Sequence, residues 1–315
     1  MSAGSQAARG AHPLFSISVD LDGLGCYAAI HGLSPASLDE RALRAVPEVA
    51  LGRFRELLER EGVCATFFAI GREILEVPGA ARALAGAAQA GHEIASHSFA
   101  HDYALSRHSQ AAIEADLARS NDVLTRATGA TPRGFRAPGY TLSPALLAAV
   151  RAQGYLYDSS LLPSPAYYAA KAAALSLHAL SGHRSHSILG GIAQLFARRG
   201  AHLREGVREL PIATLPVLRG PVIGTVALGV PDALAAFLAR AAFARGHLNL
   251  ELHGIDLLDA TDGAPPALAR LQPGLKLAAG EKLRRLRSLL RALLARAAPC
   301  TLEVAARTLL PERGV

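Results

Sequence analysis

Tryptophan is absent from this chain, and the other aromatic residues are scarce. Aromatic residues make up 5% of the 315 residues, which disfavours a module that holds long sugar chains by aromatic stacking alone. Cysteine is scarce too: Cys26, Cys64 and Cys300 are an odd number, widely spaced and without a Cys-x-x-Cys pair. This usage offers no disulfide framework and favours a reducing compartment.

Long apolar runs are also missing. No uncharged apolar stretch approaches the roughly 20 residues that a helix needs to cross a bilayer. Residues 1–12 have no apolar segment after Arg9, so they do not resemble a secretory signal. We therefore expect a cytoplasmic protein with a flexible N-terminus over residues 1–12, either soluble or peripheral at the inner membrane.

Positive charge is in excess and is unevenly distributed. The formal net charge is +7, and residues 276–296 contain seven basic residues against one acid, Glu281. Leucines and arginines fall on different faces of this segment, which predicts a basic amphipathic helix over about 279–297. Such a helix would suit an anionic membrane surface. No nucleic-acid-binding motif accompanies the charge, so we expect no nucleic-acid partner.

Apolar segments of strand length alternate with helical segments along the chain. The predicted strands are 14–19, 64–70, 92–96, 134–137, 155–158, 209–213, 248–253 and 301–304. The predicted helices are 47–60, 72–90 with a break near 78–79, 110–128, 143–153, 231–245 and the basic helix. This alternation predicts an α/β fold, a distorted barrel of seven or eight βα units that forms a single domain over 13–315. Residues 163–206 do not fit it and predict a largely helical insertion beside the active-site mouth.

Polar residues with metal-binding and acid–base potential follow several of these strands. Asp20 and Asp22 end the first strand, and His97 and His101 follow the third. Catalytic residues of α/β barrels lie at the carboxyl ends of the strands. Two histidines four apart, placed on one face of a helical turn, plus an oxygen ligand suit a hydrolytic zinc-type centre with an open position for water.

Together, these fragments resemble the polysaccharide deacetylase superfamily, also called the NodB-homology or carbohydrate esterase family 4 proteins. The resemblance runs from about Phe15 to His253. Its pieces are the aspartate pair, the Ala-Thr-Phe-Phe strand at 65–68, His-Ser-x-x-His at 97–101, Arg-x-Pro-x-Tyr at 136–140, Gly-Tyr-…-Asp at 154–158 and a late Leu-x-His. Many family members have adjacent aspartates. Here Leu21 separates them, but positions i and i+2 of a strand still face the same side.

The resemblance implies metal-dependent hydrolysis of a linear amide. It implies Asp22, His97 and His101 as ligands of a divalent metal, with zinc first and cobalt, nickel, iron or manganese as alternatives. It further implies Asp20 as the general base and His253 as the general acid that protonates the leaving amine.

Three further residues are expected to support this chemistry. Arg136 would orient Asp20 and keep it ionised. The backbone N–H of Tyr140 would stabilise the oxyanion. Asp158 is the first candidate for the carboxylate that tunes His253, and Asp256 is the second.

The predicted substrate is an N-acylated amino sugar. The missing signal and the basic helix favour the cytoplasmic lipid-linked subgroup, whose sugar is carried on undecaprenyl phosphate at the inner membrane. The acyl group is acetyl or formyl. A soluble or polymeric N-acetyl sugar is one alternative, and a metal-free hydrolase of cyclic amides from the same superfamily is another. A non-catalytic protein that binds nucleic acid through the basic helix is the least favoured reading.

Overall fold

The computed structural model describes residues 12–180 and 194–311. Its strands are β1 Leu14–Asp20, β2 Thr66–Ala69, β3 Glu93–Ser96, β4 Gly134–Phe135, β5 Tyr157–Asp158, β6 His202–Arg204, β7 Val207–Glu209, β8 His247–His253 and β9 Ala298–Pro299. Its α-helices are α1 Leu24–Ile30, α2 Glu40–Arg44, α3 Leu51–Arg60, α4 Gly71–Glu76, α5 Ala80–Gln89, α6 Gln110–Thr128, α7 Pro144–Ala152, α8 Pro165–Leu180, α9 Gly224–Ala227, α10 Asp232–Ala242, α11 Pro266–Leu271, α12 Ala279–Leu294 and α13 Leu302–Leu309.

The strands form one curled sheet in the order β6-β7-β5-β4-β3-β2-β1-β8, with β9 added beside β1. All neighbouring strands run parallel except β6 and β7. The chain after β7 curls back to β8, where the Ala213 N–H donates to the Asn249 carbonyl oxygen at 3.0 Å. The fold is therefore a distorted βα barrel, which confirms the predicted class.

Strand β1 shows how the sequence gives the barrel two different sides. Phe15, Ile17 and Val19 pack into the main hydrophobic core. The alternate residues are equally buried but polar: Ser16 Oγ contacts His247 Nε2 at 3.0 Å, and Ser18 Oγ donates to Asn249 Oδ1 at 2.8 Å. Because side chains alternate along a strand, Asp20 continues the polar series and projects to the same side.

Several helix boundaries agree with the local sequence signals. Helix α6 spans the predicted 110–128: the Ser109 side chain accepts from the Ala112 N–H, and Gly129 takes a left-handed φ of 80° at the end. The helical stretch predicted at 72–90 divides into α4 and α5 at Gly79, whose φ is 85°.

The predicted last strand at 301–304 is wrong. The Thr301 side chain accepts from the Val304 N–H and starts α13, whose Leu302, Ala305 and Ala306 are buried. Their spacing of three and four residues is helical rather than alternating. The short strand β9 lies just before this helix and pairs with β1.

The predicted insertion at 163–206 contains α8 and β6, while residues 181–193 lie outside the described residues. Residues 1–11 of the predicted flexible terminus also lie outside them. Within the described part of the chain, no helix is both long enough and apolar enough to cross a bilayer.

Helix α12 contains most of the basic residues that suggested a membrane surface, but many of them bind groups of the protein itself. Arg287 and Arg291 pair with Glu61 at 2.6 and 3.0 Å. Arg284 pairs with Asp232 at 2.7 Å and Glu281 at 2.8 Å. Acids from α10 and from the turn after α3 therefore neutralise much of the positive face. The Lys282 ammonium donates to the backbone carbonyl oxygens of Ile255, Leu258 and Gly274.

Candidate active site

Parallel register brings the ends of β1 and β8 together. Asp20 and His253 are direct partners in the β1–β8 pairing. The Asp20 carboxylate is buried, and its Oδ2 lies 4.0 Å from His253 Nε2 and 3.8 Å from His97 Nε2. The first strand therefore places one carboxylate between two imidazoles.

Asp22, His97 and His101 converge as predicted. Asp22 Oδ1 lies 3.4 Å from His97 Nε2 and 3.3 Å from His101 Nε2. Burial tends to raise the pKa of Asp22, but the neighbouring His101 and His97 outweigh it and bring the pKa well below its usual value. The Asp22 carboxylate is therefore ionised at neutral pH.

The two histidines do not lie on a helical turn, contrary to the expectation from their spacing. The loop after β3 instead takes positive φ angles at Ser98 (66°) and His101 (52°). Such angles are uncommon for non-glycine residues and cluster at functional sites. Ser98 Oγ accepts from the His101 N–H at 3.0 Å, and this bond closes the bend.

The three side chains fit a divalent metal ion. Asp22 Oδ1 and His101 Nε2 are buried and have no hydrogen-bond partner, although buried polar atoms are normally satisfied. The Nδ1 of His97 lies 2.7 Å from the Arg136 carbonyl oxygen, so this nitrogen must carry the proton and Nε2 offers its lone pair. One carboxylate oxygen and two imidazole nitrogens match the ligand set of catalytic zinc sites.

A thiol and a buried carboxylate lie on the Nδ1 side of the His101 ring. Its Nδ1 lies 3.5 Å from Cys26 Sγ, and this thiol donates to Glu73 Oε1 at 3.7 Å. Burial, with the nearby charge of Asp22, raises the pKa of Glu73 to about 7. Partners behind a ligating imidazole orient its ring. The sequence analysis missed both residues, because nothing in their spacing links them to the histidines.

Arg136 binds Asp20 as predicted. Its Nη1 donates to Asp20 Oδ1 at 2.6 Å, and its guanidinium carbon lies 4.1 Å from the centre of the Phe68 ring. Its other nitrogens donate to Ser18 and Ser159. The guanidinium is fully buried, so this pair fixes the carboxylate and leaves Asp20 Oδ2 facing the two imidazoles.

His253 is paired with Glu251, which the sequence analysis missed. His253 Nδ1 lies 3.3 Å from Glu251 Oε1, and the Tyr140 hydroxyl donates to the same oxygen at 2.5 Å. Burial alone would lower the pKa of His253, but the charges of Glu251 and Asp20 raise it to about 9. Residues two apart on one strand share a face, and this rule could have identified Glu251.

Asp158, the first candidate for tuning His253, has other partners, whereas the charge of Asp256 adds to those that raise the pKa of His253. Asp158 Oδ1 accepts from Ser160 Oγ at 2.5 Å, and Asp158 pairs in the sheet with Glu209. Burial and the charge of Asp158 raise the pKa of Glu209 well above its usual value. Glu251, rather than the predicted Asp158, is therefore the carboxylate that contacts His253. Asp256 Oδ2 accepts from the His253 backbone N–H at 2.9 Å, so it fixes the turn after β8.

Tyr140 occupies a strained position at the site, with φ 61°. Its backbone N–H, the predicted oxyanion donor, donates to the Ala137 carbonyl oxygen at 3.1 Å. To stabilise an oxyanion, this N–H would have to donate to a second acceptor as well. The observed contact of Tyr140 with the other site residues is made by its hydroxyl, which donates to Glu251.

Asp20, Asp22, His97 and His253 line one cavity of about 250 Å³, and His101 adjoins it through its contact with Asp22. This volume lies just below the roughly 300–1,000 Å³ that is usual for small-molecule sites. The scarce aromatic residues concentrate here, since four of the seven tyrosines line it: Tyr27, Tyr103, Tyr140 and Tyr167. Lys171 from α8 completes one wall. The cavity therefore suits a small polar ring rather than a long apolar ligand.

Comparison with known proteins supports the resemblance inferred from the sequence. The family model described as polysaccharide deacetylase matches residues 46–157. No curated protein matches this chain significantly.

Two solved structures share the fold. One is a polysaccharide deacetylase candidate from Mycobacterium smegmatis, 18% identical, with a TM-score of 0.58 over 96% of this chain and 94% of that one. The other is a carbohydrate esterase family 4 pseudoenzyme from Bacillus anthracis, 11% identical, with a TM-score of 0.51 over 94% of this chain and 66% of that one. At these identities the likeness concerns the fold alone, so an activity must be argued from the side chains.

The first prediction concerns metal binding. The wild-type protein, loaded with zinc and dialysed, should retain one ion per chain by plasma mass spectrometry, and Asp22→Asn or His101→Ala should lose it. Zinc added at about 100 times its dissociation constant should stabilise the wild type by about 2.7 kcal/mol and these variants by much less. Asp122→Asn, an exposed acid on α6, is the control. Unchanged zinc content in Asp22→Asn would exclude this ligand set.

Proposed function

With the resemblance to the polysaccharide deacetylase family confirmed over residues 46–157, we propose that this protein is a metal-dependent hydrolase that removes an N-acyl group from an amino sugar. The family match supports hydrolysis of an amide bond. The observation that carries the proposal is the meeting of two sets of groups at one site. Asp22, His97 and His101 form the first set, and Asp20 and His253 form the second.

The two groups of the second set are prepared for opposite proton transfers. Asp20 is bound by Arg136 at 2.6 Å through one oxygen and presents the other towards the cavity, so it would take a proton from the attacking water. His253, with a pKa near 9 beside Glu251, is protonated at neutral pH and would donate to the departing amine nitrogen. The C–N bond breaks, and acetate or formate leaves with the water oxygen.

A divalent ion held by Asp22, His97 and His101 would supply Lewis-acid polarisation of the acyl oxygen and a water of lowered pKa. Zinc is the first metal to test for this site, followed by cobalt, nickel, iron and manganese. The unpartnered Asp22 Oδ1 and His101 Nε2 favour this reading over a metal-free hydrolase of cyclic amides.

The test of the proposed function is acyl release from defined amino sugars. The zinc-loaded protein should release acetate from N-acetylglucosamine derivatives, or formate from N-formyl analogues. Asp20→Asn should lower kcat about 10²–10⁴-fold, because a positioned general base contributes this much. Circular dichroism should show that the variant remains folded, with Asp122→Asn as the active control. Wild-type turnover in Asp20→Asn would remove this residue from the reaction.

The role of Glu251 has its own pH signature. The charge of Glu251 raises the pKa of His253, so Glu251→Gln should lower it and move the alkaline limit of activity below the wild-type value of about 9. The variant should therefore lose more activity at pH 8.5 than at pH 6.5, which a pH profile of kcat measures. Asp158→Asn is the matched comparison and should leave the limit in place. A shift in Asp158→Asn alone would restore the original assignment.

For the substrate, we propose a sugar carried on a polyprenyl phosphate at the cytoplasmic face of the inner membrane; a soluble or polymeric N-acetyl sugar is the alternative. Support comes from a hairpin beside the cavity rather than from α12. The Leu215 N–H donates to the Gly220 carbonyl oxygen at 2.9 Å, and Val217 and Leu218 at the turn are 86% and 82% exposed. Ile223, shortly after the hairpin, lines the cavity.

The surroundings of this hairpin are apolar and basic. Phe196 is 70% exposed, and the centre of its ring lies 5.9 Å from the guanidinium carbon of Arg219. Burial and the positive charge of Arg219 both lower the pKa of Arg199. Two arginines therefore lie near each other here, and no acid among the described residues offsets the effect of Arg219 on Arg199. Exposed apolar tips flanked by arginines bind anionic bilayers.

Vesicle flotation tests the membrane part of the proposal. The wild-type protein should float with vesicles that contain phosphatidylglycerol at low salt. The double variant Val217→Ser, Leu218→Ser should bind these vesicles at least about a hundredfold more weakly, because burial of each side chain contributes about 1.5–3 kcal/mol. Leu75→Ser with Val304→Ser, which removes two exposed apolar side chains elsewhere on the surface, is the control. Loss of flotation only in Arg287→Ala with Arg291→Ala would instead identify α12 as the membrane surface.

A further inference from the structure

Lys171 contributes a positive charge to the cavity that the proposed chemistry does not use. It lies on α8, in the segment between β5 and β6, and lines the same cavity as Asp20 and His253. Its ammonium donates to the Gly139 carbonyl oxygen at 3.4 Å, a long contact. Within the described residues, no carboxylate lies within salt-bridge distance of it.

The other charged groups at the cavity have charged partners. Asp20 pairs with Arg136, His253 with Glu251, and Asp22 lies between the two histidine ligands. Lys171 is different: burial lowers its pKa to about 8, and no neighbouring charge opposes that effect. At neutral pH the ammonium is still mostly protonated, half-buried and uncompensated. A half-buried charge without a partner is unfavourable unless a ligand completes it.

The position of Lys171 also limits where a ligand anion would lie. Gly139, whose carbonyl it contacts, belongs to the turn Pro138–Tyr140, and Tyr140 in turn binds Glu251. The ammonium therefore lies against the turn that contains Tyr140, and it lines the same cavity of about 250 Å³ as His253, so one sugar could reach both groups. We propose that Lys171 forms an anion-binding subsite, and that the substrate carries a phosphate or carboxylate group on the same sugar as the N-acyl group.

This inference rests on the proposed function for the identity of the sugar, but its test does not require turnover. Binding is measured by titration calorimetry at pH 7 with N-acetylglucosamine 1-phosphate, N-acetylmuramic acid, N-acetylglucosamine and inorganic phosphate. The wild type should bind at least one anionic sugar about tenfold or more tightly than the neutral sugar, as expected for one charge-assisted hydrogen bond. The phosphate and carboxylate sugars distinguish the two sources of charge, and inorganic phosphate shows whether the sugar is needed.

The variants assign this preference to one side chain. Lys171→Met should abolish the preference while leaving the affinity for the neutral sugar within about twofold, and Lys171→Arg should keep most of it. Lys276→Met removes the same charge from an exposed position that does not line the cavity, and should behave as wild type. Equal affinity of the wild type for neutral and anionic sugars, no binding of any probe, or an unchanged preference in Lys171→Met would each overturn the inference.

The two proposals can fail separately. Lys171-dependent binding of an anionic sugar without release of acetate or formate would contradict the hydrolase and leave the subsite standing. Acyl release from neutral sugars, with the same kcat/KM in wild type and Lys171→Met and no gain for anionic sugars, would contradict the subsite and leave the hydrolase standing.

Discussion

The buried pair of Arg136 and Asp20 is the interaction on which the rest of the site depends. Both side chains are almost completely inaccessible, and the guanidinium also donates to Ser18 and Ser159 and lies over the Phe68 ring. Desolvation makes such a pair a weak source of stability, whereas removal of one partner typically costs about 3–5 kcal/mol. Its value is therefore positional: it connects the ends of β1, β4 and β5 and fixes one oxygen of Asp20 towards the two imidazoles.

The register between β1 and β8 fixes the positions of Glu251 and His253 relative to Asp20. In β1 and β8 the paired residues Ser18 and Glu251, then Asp20 and His253, follow one another along the polar side of the barrel. A slip of one residue would turn every one of these side chains to the opposite face, where the apolar core lies. The hydrophobic residues Phe15, Ile17 and Val19 thus specify the arrangement of the polar side chains at the site, because a slip of one residue would remove them from that core.

The sequence predicted those parts of the site that follow from strand periodicity and from the placement of barrel chemistry at strand ends. It identified Asp20, Asp22, His97, His101, Arg136 and His253, which converge in the structure. It could not predict the left-handed backbone at Ser98 and His101, because no local pattern marks that loop. It also assigned Asp158 to His253, since the neighbours of β5 in the sheet depend on long-range pairing with β7. The salt bridges of α12 could not be predicted for the same reason: Glu61 and Asp232 are distant in sequence.

The structure separates the parts of the cavity that supply chemistry from those that would select a substrate. The candidate metal ligands and the proposed acid–base groups come from strand ends and from the loops directly after them, which the sheet holds in place. Tyr167 and Lys171 come from α8, outside the repeating βα pattern. Connecting segments tolerate change better than the strands they join, so the walls of the cavity can change without disturbing the reacting groups. This division explains why the family resemblance lies in the strand-end motifs and predicts the reaction better than the substrate. The identity of the sugar must therefore be sought in α8 and in the hairpin near Val217 rather than in the motifs.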